Sequence, residues 1–472
     1  MKKECLRLWW IDFLESFDDR LFAYVLIPLL IIAGIYFSFR TKFVQFRLLK
    51  DAFKSLTEKA EKGKVSSFKS LMISTAAKIG VGHIAGIASA IVIGGPGSVF
   101  WMWIMAIFGA ASAFIESTLA QIYKVKDGQG GFRGGPAYYM QKAFNKRWLG
   151  VLFSCLLIAA YAYGFNALQS FQLSSAFTPY IPNYKDSIYP AIVGLVLAAV
   201  TALVIWGGTH RIGFISAYVV PIMSLAYICL SLFIAVKNFN KIPAVFSLIF
   251  TEAFNFKAIF GATFYKSALI MGTKRGLFSN EAGMGSAPNA AATADVLHPV
   301  NQGLAQVLSV FIETMLICTS TAFIILLSGV DISGRLGDIP VVQEAVRSQA
   351  GSLGLNLIAF SIFAFAFTSI IGNYCYAESN ILFLKNNKTL LNIFRVTCLV
   401  TIFLGAKANA RTVWNISDSI MGLMAVVNIV VILLIGNIAI KALKDYCKQK
   451  KAGKVPTFTA KDIGLDNTDV WR

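Results

Sequence analysis

Charge is scarce in this 472-residue chain: Asp, Glu, Lys and Arg together make 14% of it, where a water-soluble domain carries about 25%. Acids are the scarcer kind, 24 against 43 bases, which leaves a formal charge of +19. Three His and seven scattered Cys show no metal-type spacing and no disulfide framework. No HExxH, no paired-Asp motif and no nucleophile elbow is present, so nothing points to an enzyme. The repeated filter loop of a channel is also missing. The opening MKKECLRLWWIDFLE puts acids and Trp where a cleavable signal would have its apolar centre. No tandem repeat is visible.

What is abundant is apolar. Hydrophobic residues make 56% of the chain, Phe alone 38 of them, and mean hydropathy is +0.65. Runs long enough to cross a bilayer, about 17–25 residues, lie at 21–39, 71–95, 98–123, 148–177, 188–206, 212–236, 264–293, 301–328, 355–384, 389–405 and 417–440. These predict an all-α polytopic membrane protein with about eleven spans in the inner (plasma) membrane. The stretch 241–260, interrupted by Glu252 and Lys257, reads as an interfacial helix. A second such helix is expected at 338–350, beginning with Asp338 and Pro340.

The basic residues cluster at 40–69, at 124–147 and in a basic tail at 441–472. With eleven spans these segments share one side, assigned to the cytoplasm. The N-terminus is then outside and the C-terminus inside. Basic loops between apolar runs account for the charge without nucleic acid as a partner. Residues 451–472 are polar and are expected to be frayed. One transmembrane domain, 1–440, precedes the tail.

Two runs have an unusual texture. The second reads STAAKIGVGHIAGIASAIVIGGPG, with Lys78 and His83 among Gly80, Gly82 and Gly86. The seventh reads FYKSALIMGTKRGLFSNEAGMGSAP, with Lys274, Arg275, Asn280 and Glu281 among glycines. A charge at membrane depth costs at least about 2.5–3.5 kcal/mol and therefore faces protein, water or substrate. Glycine permits unwinding, which frees backbone N–H and C=O groups. Free amides suit a carboxylate; free carbonyls suit an ammonium or Na+. Close packing through small residues is the plainer alternative. It accounts for Gly94, Gly95 and Gly97 but not for charges clustered with glycines in two runs. Glu116 and Glu313, single acids in other runs, read as helix-pairing or relay groups.

Five collinear segments carry a resemblance: GGPGSVFWMWIMAIFG (Gly94 to Gly109), GGPAYY (Gly134 to Tyr139), KRGLFSNEAGMGSAP (Lys274 to Pro288), HPVNQG (His298 to Gly303) and FAFTSIIGNYCYAE (Phe365 to Glu378). Together the chain resembles the alanine or glycine:cation symporter family, also called sodium:alanine symporters, with D-alanine/glycine permeases the nearest likeness within it. The resemblance implies a leucine-transporter-like fold of two inverted five-helix repeats, 71–236 and 264–440, plus an extra N-terminal helix at 21–39. It implies import of small neutral amino acids coupled to Na+, with no other cofactor. Protons moving through His83, or a larger neutral amino acid as cargo, are the alternatives.

The resemblance also assigns roles. The substrate side would use Lys78, Gly80, Gly82, Asn166, Gln169, Thr273, Gly276 and Asn373. Lys78 would meet the substrate carboxylate, or else snorkel to the interface. The Na+ site would take carbonyls near Ala76 and Ile79 and hydroxyls of Thr368 and Ser369, unless those hydroxyls bond back to their own helix. His83 stands where the family commonly has Asn, and Asn373 where it commonly has Trp. Asn373 would then enlarge the pocket and make it more polar. Arg275 and Glu281 are expected to form a buried pair that holds a cytoplasmic gate. Gly135 and Pro136 are expected in a re-entrant turn.

Overall fold

The structure is a computed structural model that describes residues 2–58, 60–61, 63–128, 130–255, 264–332 and 339–471. Lys257 and Asp338 lie outside the described residues. The first helix, α1, runs Lys2–Arg20, widens at Leu21–Leu26 and continues as Ile27–Arg40. Next come α2 (Ser67–Lys78) and α3 (Gly82–Gly94), bent by 55° at the break between them. After α4 (Ser98–Ile122), a two-residue antiparallel ribbon pairs β1 (Val125–Lys126) with β2 (Phe132–Arg133). It leads to α5 (Pro136–Phe144), α6 (Arg147–Ser175), α7 (Tyr189–Ile205), α8 (Gly208–Lys237) and α9 (Ile242–Ala253). The second broken pair is α10 (Ala268–Asn280) and α11 (Ala287–Ala291). The last elements are α12 (Pro299–Ser328), α13 (Ile339–Leu384), α14 (Lys388–Gly405), α15 (Ala410–Ile435) and α16 (Asn437–Lys451).

Local chemistry sets many of these ends. Side chains of Ser66, Ser267, Asn387 and Asn409 accept backbone N–H groups at the starts of α2, α10, α14 and α15. Pro136, Pro190, Pro288 and Pro299 sit in first turns, where a missing N–H costs nothing.

Among the described residues, eight helices are long and apolar enough to cross a membrane, and the bent α2–α3 pair makes nine. Adding the short apolar α7 and the divided α10–α11 brings the set into register with all eleven apolar runs. Two boundaries differ from expectation. The first helix begins at Lys2, so the acids and Trp residues of the opening belong to it. The interfacial helix near 241–260 is confined to α9 among the described residues. The polar helix near 338–350 does form, as the first part of α13, and it stops at Gly351. There φ is +62°, a value that side-chain-bearing residues seldom adopt.

The core is the middle of the bundle. Every residue of α4 from Gly109 to Ile122 is buried, and α4 packs against α10 and α12. Glycine makes that approach possible: a Cβ on Gly272 would fall 2.3 Å from the Ser98 carbonyl oxygen, and one on Gly303 2.2 Å from Thr118 Oγ1. Large apolar side chains such as Leu203, Ile222, Leu225, Val236 and Phe360 point outward. That distribution suits lipid as the surrounding solvent.

The tail does not fray. Trp471 is buried, donates from Nε1 to the Gln121 carbonyl at 2.7 Å, and packs edge-on against Phe458. Asp469 pairs with Lys142 at 2.8 Å. Apolar burial and these polar contacts together hold a segment whose composition alone looks disordered.

Candidate functional site

The first break rewires the backbone between α2 and α3. In a continuous helix the carbonyls of Ala76, Ala77 and Ile79 would accept from the amides four residues on. Here the Gly80 amide donates to the Lys78 carbonyl at 2.7 Å and the His83 amide to the Gly80 carbonyl at 3.2 Å. The Val81 amide donates to Gln169 Oε1 at 2.9 Å. The carbonyls of Ala76, Ala77 and Ile79 are thereby released from their usual donors. Ser369 Oγ, on α13, donates to the Ala77 carbonyl at 2.8 Å. Gly80 lies so close that a Cβ would stand 2.4 Å from Gln169 Nε2 and 2.7 Å from Ser369 Oγ. A Cβ on Gly82 would stand 2.1 Å from the Phe278 ring.

Around this break the wall is aromatic on one side and polar on the other. Phe278 packs edge-on against Phe165 and Trp414, at centroid distances of 4.9 and 5.4 Å. Tyr161 continues the layer to Phe165 and to Tyr376. On the polar side Asn373 Nδ2 donates to Asn166 Oδ1 at 3.1 Å. Asn166 Nδ2 and Asn373 Oδ1 are buried and have no hydrogen-bond partner among the described residues. Orphaned buried polar atoms are rare and call for a ligand or water. The wide turn of α6, Ala159–Phe165, delivers this wall, and such turns recur at functional sites.

The second break lies between α10 and α11. Glu281 has φ +55°, and Gly283 and Gly285 have φ +82° and +83°. Their amides do not await a substrate carboxylate. Gly283 and Gly285 donate to the two carboxylate oxygens of Glu116 on α4, at 3.2 and 3.1 Å. Asn428 on α15 donates to the same carboxylate at 2.7 Å and to the Gly283 carbonyl at 2.9 Å. Tyr139 in turn bonds Asn428. Glu116 is therefore a built-in anion that satisfies the unwound segment, a role more specific than pairing or relay.

Four residues depart from expectation here. Thr273 and Gly276 lie within the intact helix α10, so they present no freed backbone; a Cβ on Gly276 would meet Met102 at 3.4 Å. Arg275 does not pair with Glu281. Its guanidinium makes two 2.9 Å bonds to Asp418 on α15 and lies 4.0 Å over the Trp414 ring. Glu281 is turned away by its left-handed backbone and accepts from Ser286 Oγ. Lys274, next to Arg275, meets Asp418 at 3.3 Å and Asp18 on α1. All four side chains of this Asp18–Lys274–Arg275–Asp418 group are buried. Toward the end of the bundle that carries Arg411 lies a cavity of about 340 Å³, lined by Asp12, Glu15, Asp19, Arg20, Tyr265 and Arg411.

Lys78 neither snorkels nor offers a free ammonium. Its Nζ is wholly buried, 3.3 Å from Glu313 Oε2 on α12, and donates to Gln306 Oε1 and Ser309 Oγ. A buried ion pair is favoured over two isolated charges, which explains both residues. Thr368 Oγ1 donates to the Ala364 carbonyl of its own helix at 2.9 Å, leaving Ser369 as the hydroxyl that reaches α2. His83 Nε2 is 3.2 Å from Ser279 Oγ, and its backbone carbonyl accepts from Thr321 at 2.8 Å. Gly80, Gly82, Gln169, Ser369 and the carbonyl ends of Ala76 and Ile79 thus meet at one break, with Asn166 and Asn373 joined to each other on the polar wall. Asp18, Asp418, Trp414 and Asn428 were not anticipated. For Asp418 the available signal was the cost of an acid inside an apolar run, which demands a partner.

Comparison with known proteins places these features in a lineage. The sequence profile described as the Sodium:alanine symporter family matches residues 8–460. The amino-acid carrier protein AlsT of Bacillus subtilis is 45% identical over 450 residues, 95% of this chain and 94% of that protein. The probable sodium/glutamine symporter GlnT of the same organism is 46% identical over 444 residues, 93% and 91% of the two chains. Among solved structures, MhsT in complex with L-phenylalanine superposes with a TM-score of 0.56 at 14% identity, over 85% of this chain and 95% of that one. That likeness bears on the fold, which is leucine-transporter-like. With its profile match, its relatives and its two broken helices, this multi-span chain belongs to the sodium:alanine symporter family.

Proposed function

We propose that this carrier brings small neutral amino acids into the cell, alanine and glycine first and D-alanine among the candidates, with Na+ entering alongside. The basic loops and tail face the cytoplasm, the N-terminus lies outside, and 71–236 and 264–440 form the two repeats. The observation that carries the reading is the α2–α3 break, where three carbonyls lose their helical donors beside Ser369. Na+ takes oxygen ligands, and the donor set of Ala76, Ile79 and Ser369 is all oxygen, so the residues fit the ion. Thr368 contributes there only by turning away from its own helix. The amide end of α3 at Gly82 suits the substrate carboxylate. Gln169, Asn166 and Asn373 supply the polar wall, and Phe278 closes over Gly82. Access alternates by rocking α2–α3 and α10–α11 against the rest of the bundle.

Uptake of labelled alanine into proteoliposomes tests this directly. Replacing external Na+ by choline should abolish accumulation; uptake that persists and instead follows a pH gradient would refute Na+ coupling in favour of protons. Replacement His83→Asn separates the two further, because Na+ coupling predicts unchanged ion dependence.

A second reading concerns the cargo. Among the described residues Asn166 and Asn373 leave one amide NH2 group and one carbonyl acceptor unpartnered in the interior, the complement of a side-chain carboxamide. Together with the relative named as a probable sodium/glutamine symporter, this favours glutamine as a larger neutral substrate. Competition of glycine, L-alanine, D-alanine and glutamine against labelled alanine distinguishes the readings. Glutamine displacing alanine in the wild type but not in Asn373→Leu would support the carboxamide site.

A further inference from the structure

The transport scheme leaves one buried charge pair without a task. Lys78 is the last residue of α2, at the edge of the first break. Glu313 sits on the wide turn Ile312–Cys318 of α12. Both side chains have no solvent exposure. The ammonium is surrounded by a carboxylate oxygen of Glu313 at 3.3 Å, a hydroxyl of Ser309 at 3.1 Å and an amide oxygen of Gln306 at 3.3 Å. These oxygens are themselves held: Ser309 donates to the other carboxylate oxygen of Glu313, Ser74 donates to Gln306 Oε1 at 3.0 Å, and the hydroxyls of Thr75 and Ser309 are 3.5 Å apart.

This is a cage for a monovalent cation. Its ligands are carboxylate, hydroxyl and amide oxygens, all three on α12, with the α2 hydroxyls of Ser74 and Thr75 set against two of them. We infer that the Lys78 ammonium is a tethered cation filling a second cation position, so that the carrier moves one Na+ with each amino acid instead of two. The inference rests on the Na+-coupled reading given above. Na+ and an ammonium carry the same charge and seek the same oxygens. The tethered one pays no translational cost on binding. It also satisfies Glu313, whose buried carboxylate would otherwise demand a cation from solution. A salt bridge that merely braced two helices would have no bearing on how many ions are carried.

Ion counting provides the test. In proteoliposomes the wild type should take up sodium and alanine in a ratio of one, with a Hill slope of one for Na+ activation. Removing the ammonium while keeping the cage, in Lys78→Ala, should raise both toward two. Removing the carboxylate as well, in Lys78→Ala with Glu313→Gln, should return both to one. A wild-type ratio of two overturns the inference and leaves Na+ coupling intact. So does a Lys78→Ala carrier that transports with a slope of one. Uptake indifferent to Na+ in the wild type overturns the coupling and this inference together. Should Lys78→Ala fail to fold, a wild-type flux ratio of two still overturns the inference, and Lys78→Met, which also removes the ammonium, takes its place in the slope measurement.

Discussion

Ser369 shows how one hydroxyl can join an ion to a moving helix. It lies on α13, yet it donates to the Ala77 carbonyl of α2, a contact between residues far apart in the chain. Replacement Ser369→Ala removes one oxygen from the proposed ion shell and leaves the helix of Thr368 undisturbed. We expect the Na+ concentration for half-maximal uptake to rise roughly tenfold, the size of one lost polar contact to a charged group. Alanine affinity at saturating Na+ should change less. Na+ titrations of uptake at fixed alanine measure both. Residues at this scale were partly legible in the sequence. Gly80, Gln169 and Ser369 carry family positions and meet at the break. Lys78 and Arg275 were visible as costly charges, but their partners Glu313 and Asp418 lie more than a hundred positions away. No periodicity reports such a pairing, and only the fold makes it.

Among elements, the two broken pairs are solved in different ways. The α2–α3 break leaves carbonyls to be satisfied by a side chain or an ion. The α10–α11 break is sealed by Glu116, which accepts from Gly283 and Gly285. Replacement Glu116→Gln substitutes an N–H group for one of the accepting oxygens and sets donor against donor. We expect transport to fall at least about tenfold, with a stability loss of about 1–3 kcal/mol for an unsatisfied buried group. Uptake assays paired with thermal unfolding in detergent separate the two effects. The glycines of the seventh run announced a break, but its place, between Asn280 and Ala287, follows from where a carboxylate on α4 can cap it. The same scale explains the extra N-terminal helix. Asp18 ties α1 to α10 through Lys274, so Asp18→Asn should lower the unfolding midpoint by several degrees and slow uptake. The loss is softened because Lys274 keeps Asp418 at 3.3 Å. Pairing Asp18→Asn with Lys274→Met should recover much of the stability, since a removed pair costs less than an orphaned charge.

Over the whole molecule the C-terminal segment is what composition failed to foretell. Lys124 donates to the Ala294 carbonyl at 2.8 Å and sits against the rings of Phe132 and Trp471, 4.1 and 4.8 Å from their centroids. Gln121, whose carbonyl accepts from Trp471, also donates to the carbonyls of Ala291 and Ala294. The tail thus grips the stretch that follows the second break. Replacement Trp471→Ala should release residues 454–471 and speed amide exchange both there and at 287–294. Na+ activation should stay as it was; hydrogen-exchange mass spectrometry reads the first effect and uptake the second. Tail polarity was read as disorder because one buried Trp and one ion pair hardly register in an average over twenty residues.

The buried quartet near α1 has a further consequence for work under voltage. Asp18 and Asp418 carry two negative charges, Lys274 and Arg275 two positive ones, and the sum is zero. The cations ride on α10 and the acids on α1 and α15, so when α10 rocks against the rest of the bundle the two signs part and positive charge moves through the electric field of the membrane. The field, worth about 2.3 kcal/mol per charge for each 100 mV, then acts on the protein as well as on the travelling ion. Transient currents recorded without substrate should accordingly persist when Na+ is withdrawn, and should shrink in the doubly neutral pair Lys274→Met with Asp18→Asn.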